Sequence, residues 1–226
     1  MPVADALLSR ISCRQFLPDP VPVDTVRNII DKARWAPSGG NLQPWHLYAV
    51  TGDALEALLD DVAGKMEVTP RGEPPEYRVY PEGLKEPYES RRFKCGEDLY
   101  ATIGVTRDNK PGRVAQFRNN FRLFGAPVGL FAYIDRQMGP PQWSDMGMFL
   151  QSLMLVARDH GLHTCAQEAW AQWHQTIAKH LNPCEDWMLF CGIALGYMDH
   201  NAPINQLRTE RATVEEITTW VGPWKD

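Results

Sequence analysis

Three residues near the start of the chain, Arg10, Ser12 and Arg14, alternate in sequence. In an extended segment that spacing puts all three side chains on one face. Two guanidiniums flanking a hydroxyl suit a phosphate and the polyol beside it, because arginine donates in a fixed fork that matches phosphate oxygens. A second constellation, Ala36 to Trp45, reads APSGGNLQPW and crowds glycines, a serine and two amides into one turn. Glycine lets backbone approach a flat ligand closely, and Asn41 and Gln43 offer donors and acceptors suited to the edge of a heterocycle. A plain connection between a helix and a strand would need one glycine but not this density of amides, and both readings stand here. Two more polar runs, Thr164 to Glu168 and Asn205 to Arg211, read alone as an ordinary loop and a solvated tail. The second of them could close a phosphate site begun by Arg10.

The elements that must position these residues follow from hydrophobic periodicity. Val26, Ile29, Ile30 and Ala33 recur at helical spacing after Asp24, and Pro37 stops them, so Ser38 to Pro44 is a loop. His46 to Thr51 reads as a strand. Asp53 with Glu56 reads as a capping box opening a helix with Leu55, Leu58, Leu59 and Val62 on its buried face. From 66 to 90 the periodicity disappears under five prolines, giving an excursion that is either the wall or lid of a site or a solvated loop. Helices are predicted over Gly96 to Arg107 and Pro111 to Phe124, and a strand over Val128 to Ile134. A long helix follows Ser144, with a core or subunit-interface stripe of Met146, Phe149, Leu150, Leu153, Met154 and Ala157, ended by Gly161. A helix from Trp170 to Leu181, a strand from Met188 to Leu195 and a tail from Asn201 to Asp226 complete the chain. Strands separated by helices without regular βαβ alternation predict one α+β domain over 1–226.

Composition limits the partners. The 226 residues carry a net charge of −5 and no basic run, which argues against a nucleic-acid groove or an anionic membrane surface and favours small molecules. Five cysteines, an odd set without a CxxC pair, suit a reducing compartment, so a cytoplasmic location is expected, with the thiols as small buried hydrophobes. The first 16 residues lack the apolar stretch of a signal peptide, and the longest apolar run, Trp187 to Tyr197, is too short to span a membrane. The six histidines show no metal-ligand spacing, so no metal site is expected. There is neither a GxGxxG nor a GxxxxGK[ST] run, hence no dedicated dinucleotide or triphosphate fold.

RISCRQF at 10–16, ARWAPSGGNLQPW at 33–45, GLHTCAQEAW at 161–170 and RTERATVEE at 208–216 together resemble the FMN-dependent nitroreductase family. GEDLY and FGAPVGLFAYIDRQMGPPQWSD resemble its nitrobenzoate or nitroaromatic reductase branch. The resemblance implies a central, mainly antiparallel sheet flanked by helices and a C-terminal tail reaching a partner subunit. It also implies a homodimer with one FMN in each of two interface sites. On this basis Arg10, Ser12 and Arg14 match the phosphate and ribityl contacts, while Pro37, Ser38, Gly39 and Asn41 match the flavin-contacting loop of one subunit. Asn119 matches a polar group near the pyrimidine edge, and Ala166, Gln167 and Glu168 match the segment whose backbone amide points at flavin N5. Arg211 matches a tail cation on the phosphate. Many members carry a lysine where this chain has Thr209, which leaves Thr209, Arg208 and Arg211 as alternatives for that contact.

The implied activity is NAD(P)H-driven reduction of nitroaromatics, with quinones as other acceptors, in a two-step cycle through one shared pocket. The cofactor then carries the chemistry and no side chain is assigned as an obligate acid or base. Tyr80, Tyr88, Arg91, Arg92 and Phe93 are the expected substrate wall, since aromatic and arginine side chains suit a flat acidic or nitro-bearing ring. Pro44 and Trp45 are expected to support the glycine loop. Two alternatives remain at this stage: a reductive dehalogenase gripping a halophenol with Glu86, Tyr88, Glu89 and Lys94, and a flavin-binding redox module that does not turn over.

Overall fold

The computed structural model describes residues 1–224. Four strands, β1 (His46–Thr51), β2 (Val128–Asp135), β3 (His163–Gln167) and β4 (Trp187–Gly196), form one sheet in the order β1-β2-β4-β3. Every neighbouring pair is antiparallel, with Thr51 opposite Val128, Val128 opposite Leu195 and His163 opposite Gly196. The two central strands are buried on both faces, and β2 divides its side chains by the two-residue period of a strand. Leu130, Ala132 and Ile134 enter one core with Val26, Ile29, Phe149 and Leu153, while Phe131 and Tyr133 enter the other with Leu55, Leu58, Val62 and Trp170. Helices α2 (Val23–Ala33) and α6 (Pro140–Asp159) supply the first layer; α3 (Gly52–Val68) and α7 (His174–Leu181) supply the second. Gly192 of β4 is a close-approach glycine: an added Cβ would lie 2.2 Å from Cδ1 of Trp170, so its absence lets the indole lie flat against the sheet.

The remaining helices differ from the predicted ones for identifiable reasons. α1 (Val3–Ser9) is not predicted at all: it buries only Ala6 and leaves Leu7 and Leu8 exposed, so it carries no core-facing repeat. α4 (Tyr88–Thr102) starts two turns before the expected Gly96 and ends before Arg107, and no residue of it is buried, which removes the pattern that would have marked it. The irregular excursion therefore shrinks to 69–87. α5 (Lys110–Arg118) also has no buried residue and gives way to a 3₁₀ segment, Asn119–Gly125, in which Leu123 and Phe124 take left-handed φ of 49° and 55°.

Local chemistry corrects three more boundaries. α3 begins at Gly52 with Thr51 at its N-cap, so Asp53 and Glu56 form no capping box, and Thr51 Oγ1 donates instead to Pro127 O at 2.8 Å. α6 begins at Pro140, where the missing N–H costs nothing in the first turn, and Ser144 lies inside the helix. The expected Trp170 to Leu181 helix is a 3₁₀ run, Glu168–Trp173, followed by α7. Gly161 does end α6, with φ of 74° one residue past the cap. Of the cysteines, Cys13, Cys165 and Cys191 are buried as expected, but Cys95 and Cys184 are exposed. Among the described residues no helix is long and apolar enough to cross a membrane.

Candidate functional site

The outer edge of β3 is where the chemistry-bearing segments converge. Thr164 to Gln167, expected as loop, is this edge strand, and its far side meets the N-terminal segment: Ser12 forms a parallel bridge with Thr164, and Cys13 N–H donates to Thr164 O at 3.0 Å. The backbone there is extended, which is the condition for Arg10, Ser12 and Arg14 to share a face. Because Thr164 turns its backbone groups outward, strand alternation turns those of Ala166 outward as well, and among the described residues no strand pairs with the edge beyond Thr164. Ala166 is exposed, whereas Gln167 is buried and its amide is consumed. Gln167 Nε2 donates to Asn120 O at 2.7 Å and Oδ1 at 3.3 Å, and Trp170 Nε1 donates to Gln167 Oε1 at 3.3 Å. What this segment presents is therefore backbone. Glu168 is surface-accessible, yet crowding around its carboxyl raises its pKa.

Asn205, 1% exposed, staples the tail to the same segment. Its Oδ1 accepts from Arg14 N–H at 2.8 Å, and its Nδ2 donates to Gln15 O and Asp199 O at 2.8 and 2.9 Å. The result is a cavity of about 540 Å³ lined by Arg10, Ser12, Arg14, Arg208, Thr209 and Arg211, with Leu7 and Leu8 of α1 on its apolar side. Arg208 donates to Asn205 O at 3.2 Å and Arg211 to Thr209 O at 3.0 Å. Among the described residues none of the four arginines pairs with a carboxylate. Burial and then the nearby Arg211 lower the pKa of Arg10, the mark of cations crowded without an anion. Beneath the cavity, His163 is buried at the start of β3 with Arg158 Nη1 3.3 Å from its Nδ1. Burial first, then Arg158, His200 and Arg208, lower its pKa from 6.5 to about 4.

The glycine loop is held from below. Asp145, 5% exposed in α6, accepts the Gly39 N–H with both carboxylate oxygens at 3.3 and 3.2 Å. Ser38 Oγ accepts Gln43 N–H at 3.0 Å, and Gln43 Nε2 donates to Asn41 O at 3.2 Å. Gly40 and Asn41 both sit at φ of 56°, which suits glycine and asparagine. Pro44 is buried and Trp45 stacks on Phe149 at 4.9 Å, so both support the loop as expected. Pro37, Gly39 and Asn41 are exposed, and the loop does not line the arginine cavity of its own chain.

A second cavity of about 670 Å³ is lined along α4, and exposed Cys95 lines both. Arg92 lies 4.1 Å over the Tyr80 ring and Arg107 4.9 Å over the Phe93 ring. Arg113 instead grips Glu97 in a bidentate pair at 2.7 and 2.8 Å.

An extended Arg-Ser-Arg segment on an edge strand, closed by an arginine tail and accompanied by an exposed glycine-amide loop, is the arrangement the sequence motifs implied. The nitroreductase family matches residues 7–197. The chain belongs to this family. It is 36% identical to the nitrobenzene nitroreductase of Ectopseudomonas oleovorans over 97% of this chain and 96% of that one. It is 37% identical to the 4-nitrobenzoate reductase of Pseudomonas putida over 95% of this chain and 93% of that one. The crystal structure of the FMN and NADPH-dependent nitroreductase NfnB from Sphigopyxis sp. strain HMH superposes with a TM-score of 0.95 at 46% identity, covering 98% of this chain and 100% of that one.

Within this nitroreductase-family fold the predicted residues fall into groups. Arg10, Ser12, Arg14, Arg208 and Arg211 line one cavity together with Thr209. Asn119 is exposed, donates to Gln116 Oε1 at 3.1 Å, and sits beside Asn120, the partner of Gln167. Of the substrate wall, Tyr80, Arg92 and Phe93 line the second cavity while Tyr88 and Arg91 do not. Those two share a helical stripe with Cys95, and Arg91 reaches Glu216 of α8 (Val214–Ile217) at 3.9 Å. Gln43, expected to offer its amide to a ligand, spends its donor on its own loop. Sequence reasoning missed Asn205, Asp145, Asn120 and Arg107. Asp145 ends the quoted PPQWSD run and Asn205 opens the NQLRTER run, so their motifs were visible while their partners, more than 100 residues away, were not.

Proposed function

We propose that this chain is an FMN-dependent NAD(P)H oxidoreductase that reduces nitroaromatic compounds, and quinones as secondary acceptors, as a homodimer in the cytoplasm. The observation that carries the reading is the cluster of four guanidiniums and the Ser12 hydroxyl around one cavity, unpaired with any carboxylate among the described residues. Such a set is electrostatically incomplete until a phosphate enters, so the residues fit the phosphate and ribityl end of FMN. Bound there, FMN supplies hydride acceptance and donation at its N5, which allows NAD(P)H and the acceptor to use one site in turn.

The protein's part is placement and electrostatics. Arg10, Arg14, Arg208 and Arg211 hold the phosphate, and Ser12 meets the polyol. The outward backbone groups of the Ala166 to Glu168 edge give a fixed N–H donor for the reacting heterocycle, one that needs no rearrangement to act. Asn119 lies beside this edge through Asn120. The exposed loop of Pro37, Ser38, Gly39 and Asn41, pinned by Asp145, completes the site of the other protomer. The exposed apolar residues Leu7, Leu8, Trp220, Val221 and Trp224 support such a dimer, since they need cover. Tyr88 and Arg91, on the stripe of α4 that carries Cys95, wall the nitroaromatic ring.

The deciding experiment is the visible spectrum of the purified protein during anaerobic NADPH addition. A flavin spectrum that bleaches promptly and recovers when 4-nitrobenzoate is added supports the reading. Colourless protein that takes up no added FMN ends it, and flavin that NADPH and NADH leave oxidised ends the oxidoreductase part. Gel filtration tests the dimer.

A further inference from the structure

The second cavity has a composition that the proposed flavin site leaves unexplained. It is lined by Tyr80, Arg92, Phe93 and Arg107, with the Arg113–Glu97 pair and Glu89 at its margin. Arg113 is neutralised by Glu97, which leaves Arg92 and Arg107 facing the single carboxylate of Glu89. Each of these two guanidiniums is laid over an aromatic ring, at 4.1 and 4.9 Å. Stacking restrains a guanidinium while leaving its in-plane N–H donors free, so the pair is set in place for an anion before one arrives. Two such forks, with ring edges and an apolar Leu99 beside them, are the chemistry that recognises a phosphate monoester attached to a flat heterocycle. The cavity is of a size that holds a small organic ligand, and it abuts the arginine cavity through Cys95.

We infer that the cavity formed by Tyr80, Arg92, Phe93 and Arg107 binds the 2′-phosphorylated adenosine end of NADPH and so sets a preference for NADPH over NADH. The inference rests on the proposed NAD(P)H-driven activity and names the residues that choose its reductant. The nicotinamide end must reach the flavin, so the adenosine end must leave the flavin site for a neighbouring surface. This cavity adjoins the arginine cavity at Cys95, and among the described residues Arg92 and Arg107 form no ion pair.

The test is isothermal titration calorimetry on the FMN-loaded dimer with adenosine 2′,5′-bisphosphate and 5′-AMP, which differ only in the 2′-phosphate. Wild type is expected to bind the bisphosphate roughly tenfold or more tightly than 5′-AMP, the value of one or two charge-assisted hydrogen bonds. R107A and R92A should each weaken the bisphosphate roughly tenfold and shift 5′-AMP far less, and R107K should recover part of the loss. Equal affinity of wild type for the two probes overturns the inference, as does an R107A variant that weakens both alike. If R92A and R107A raise KM for 4-nitrobenzoate but leave bisphosphate binding unchanged, the cavity belongs to the acceptor and the inference falls. Failure of the flavin reading would show separately, as colourless protein without nitro reduction.

Discussion

Two arginine-bearing cavities meet α4 and share Cys95, yet they are built on opposite plans. In the first, the arginines come from an extended segment bridged to a sheet edge and from a tail stapled by a buried asparagine, so backbone hydrogen bonds fix their positions. In the second, Arg92, Phe93 and Arg113 stand on helices with no buried residue, and the cations are held by aromatic rings, with Glu97 and the Thr106 carbonyl holding Arg113 alone. The first suits a ligand that stays; the second suits one that comes and goes. Rigid elements position a group more accurately than exposed ones, at the expense of exchange. That contrast predicts that damage to the first cavity shows as lost cofactor and lost stability, and damage to the second as altered selectivity.

The strongest way to break the contrast is at the staple. Asn205→Ala removes three hydrogen bonds and leaves Arg14 N–H without its partner, while Gln15 O keeps the Asp199 N–H and Asp199 O keeps the Ala202 N–H. A loss of about 3 kcal/mol in urea-unfolding stability is expected, with FMN lost from the purified protein. A variant of wild-type stability that keeps its flavin would mean that the tail is not what fixes this wall. Next in size is Arg10→Ala, which on the proposed reading removes one charge-assisted phosphate contact. FMN affinity should fall by about 1.5 to 3 kcal/mol, roughly 10- to 100-fold, measured by flavin fluorescence titration. Unchanged affinity would place the phosphate elsewhere.

His163, close enough to Arg208 of the first cavity to feel its charge, gives that region a pH dependence. Its folded pKa is lowered to about 4 from 6.5, so the neutral ring is favoured in the folded protein. The stability linked to it is present above pH 6.5 and drains away as the pH falls through the window toward 4, because the unfolded chain binds the proton first. Between pH 7 and pH 5 the contribution is about 2 kcal/mol. His163→Gln should flatten the fall of unfolding stability across that interval, and a wild-type slope in the variant would rule the residue out.

Legibility from sequence followed burial. β1, β2, β4 and the cores of α2, α3 and α6 were readable because their side chains alternate or recur against a filled interior. α1, α4 and α5 carry no such pattern because they bury almost nothing, and Thr164 to Glu168, which includes four of the five residues of β3, reads as a polar run. The candidate site divided in the same way. Arg10, Ser12, Arg14, Arg208 and Arg211 were legible from residue type and short spacing. Asn205, Asp145 and Arg107 were not, since their importance lies in contacts between segments far apart in the chain or in a ring that happens to lie below.

The mildest prediction separates the two faces of α4. Arg92 and Phe93 line the second cavity, whereas Tyr88 and Arg91 line neither cavity. Arg91 meets only Glu216, at 3.9 Å and with both side chains about half exposed, a pair of little energetic consequence. Its charge is therefore available to an acidic acceptor without a large cost in breaking the pair. Arg91→Ala should raise KM for 4-nitrobenzoate by about two- to fivefold, the size of an exposed charge contact, and leave KM for uncharged nitrobenzene as it was. Steady-state rates with the two acceptors at saturating NADPH measure it. Equal shifts for both would make Arg91 a packing residue, and a shift in KM for NADPH alone would assign it to the other face, erasing the distinction between the two sides of the helix.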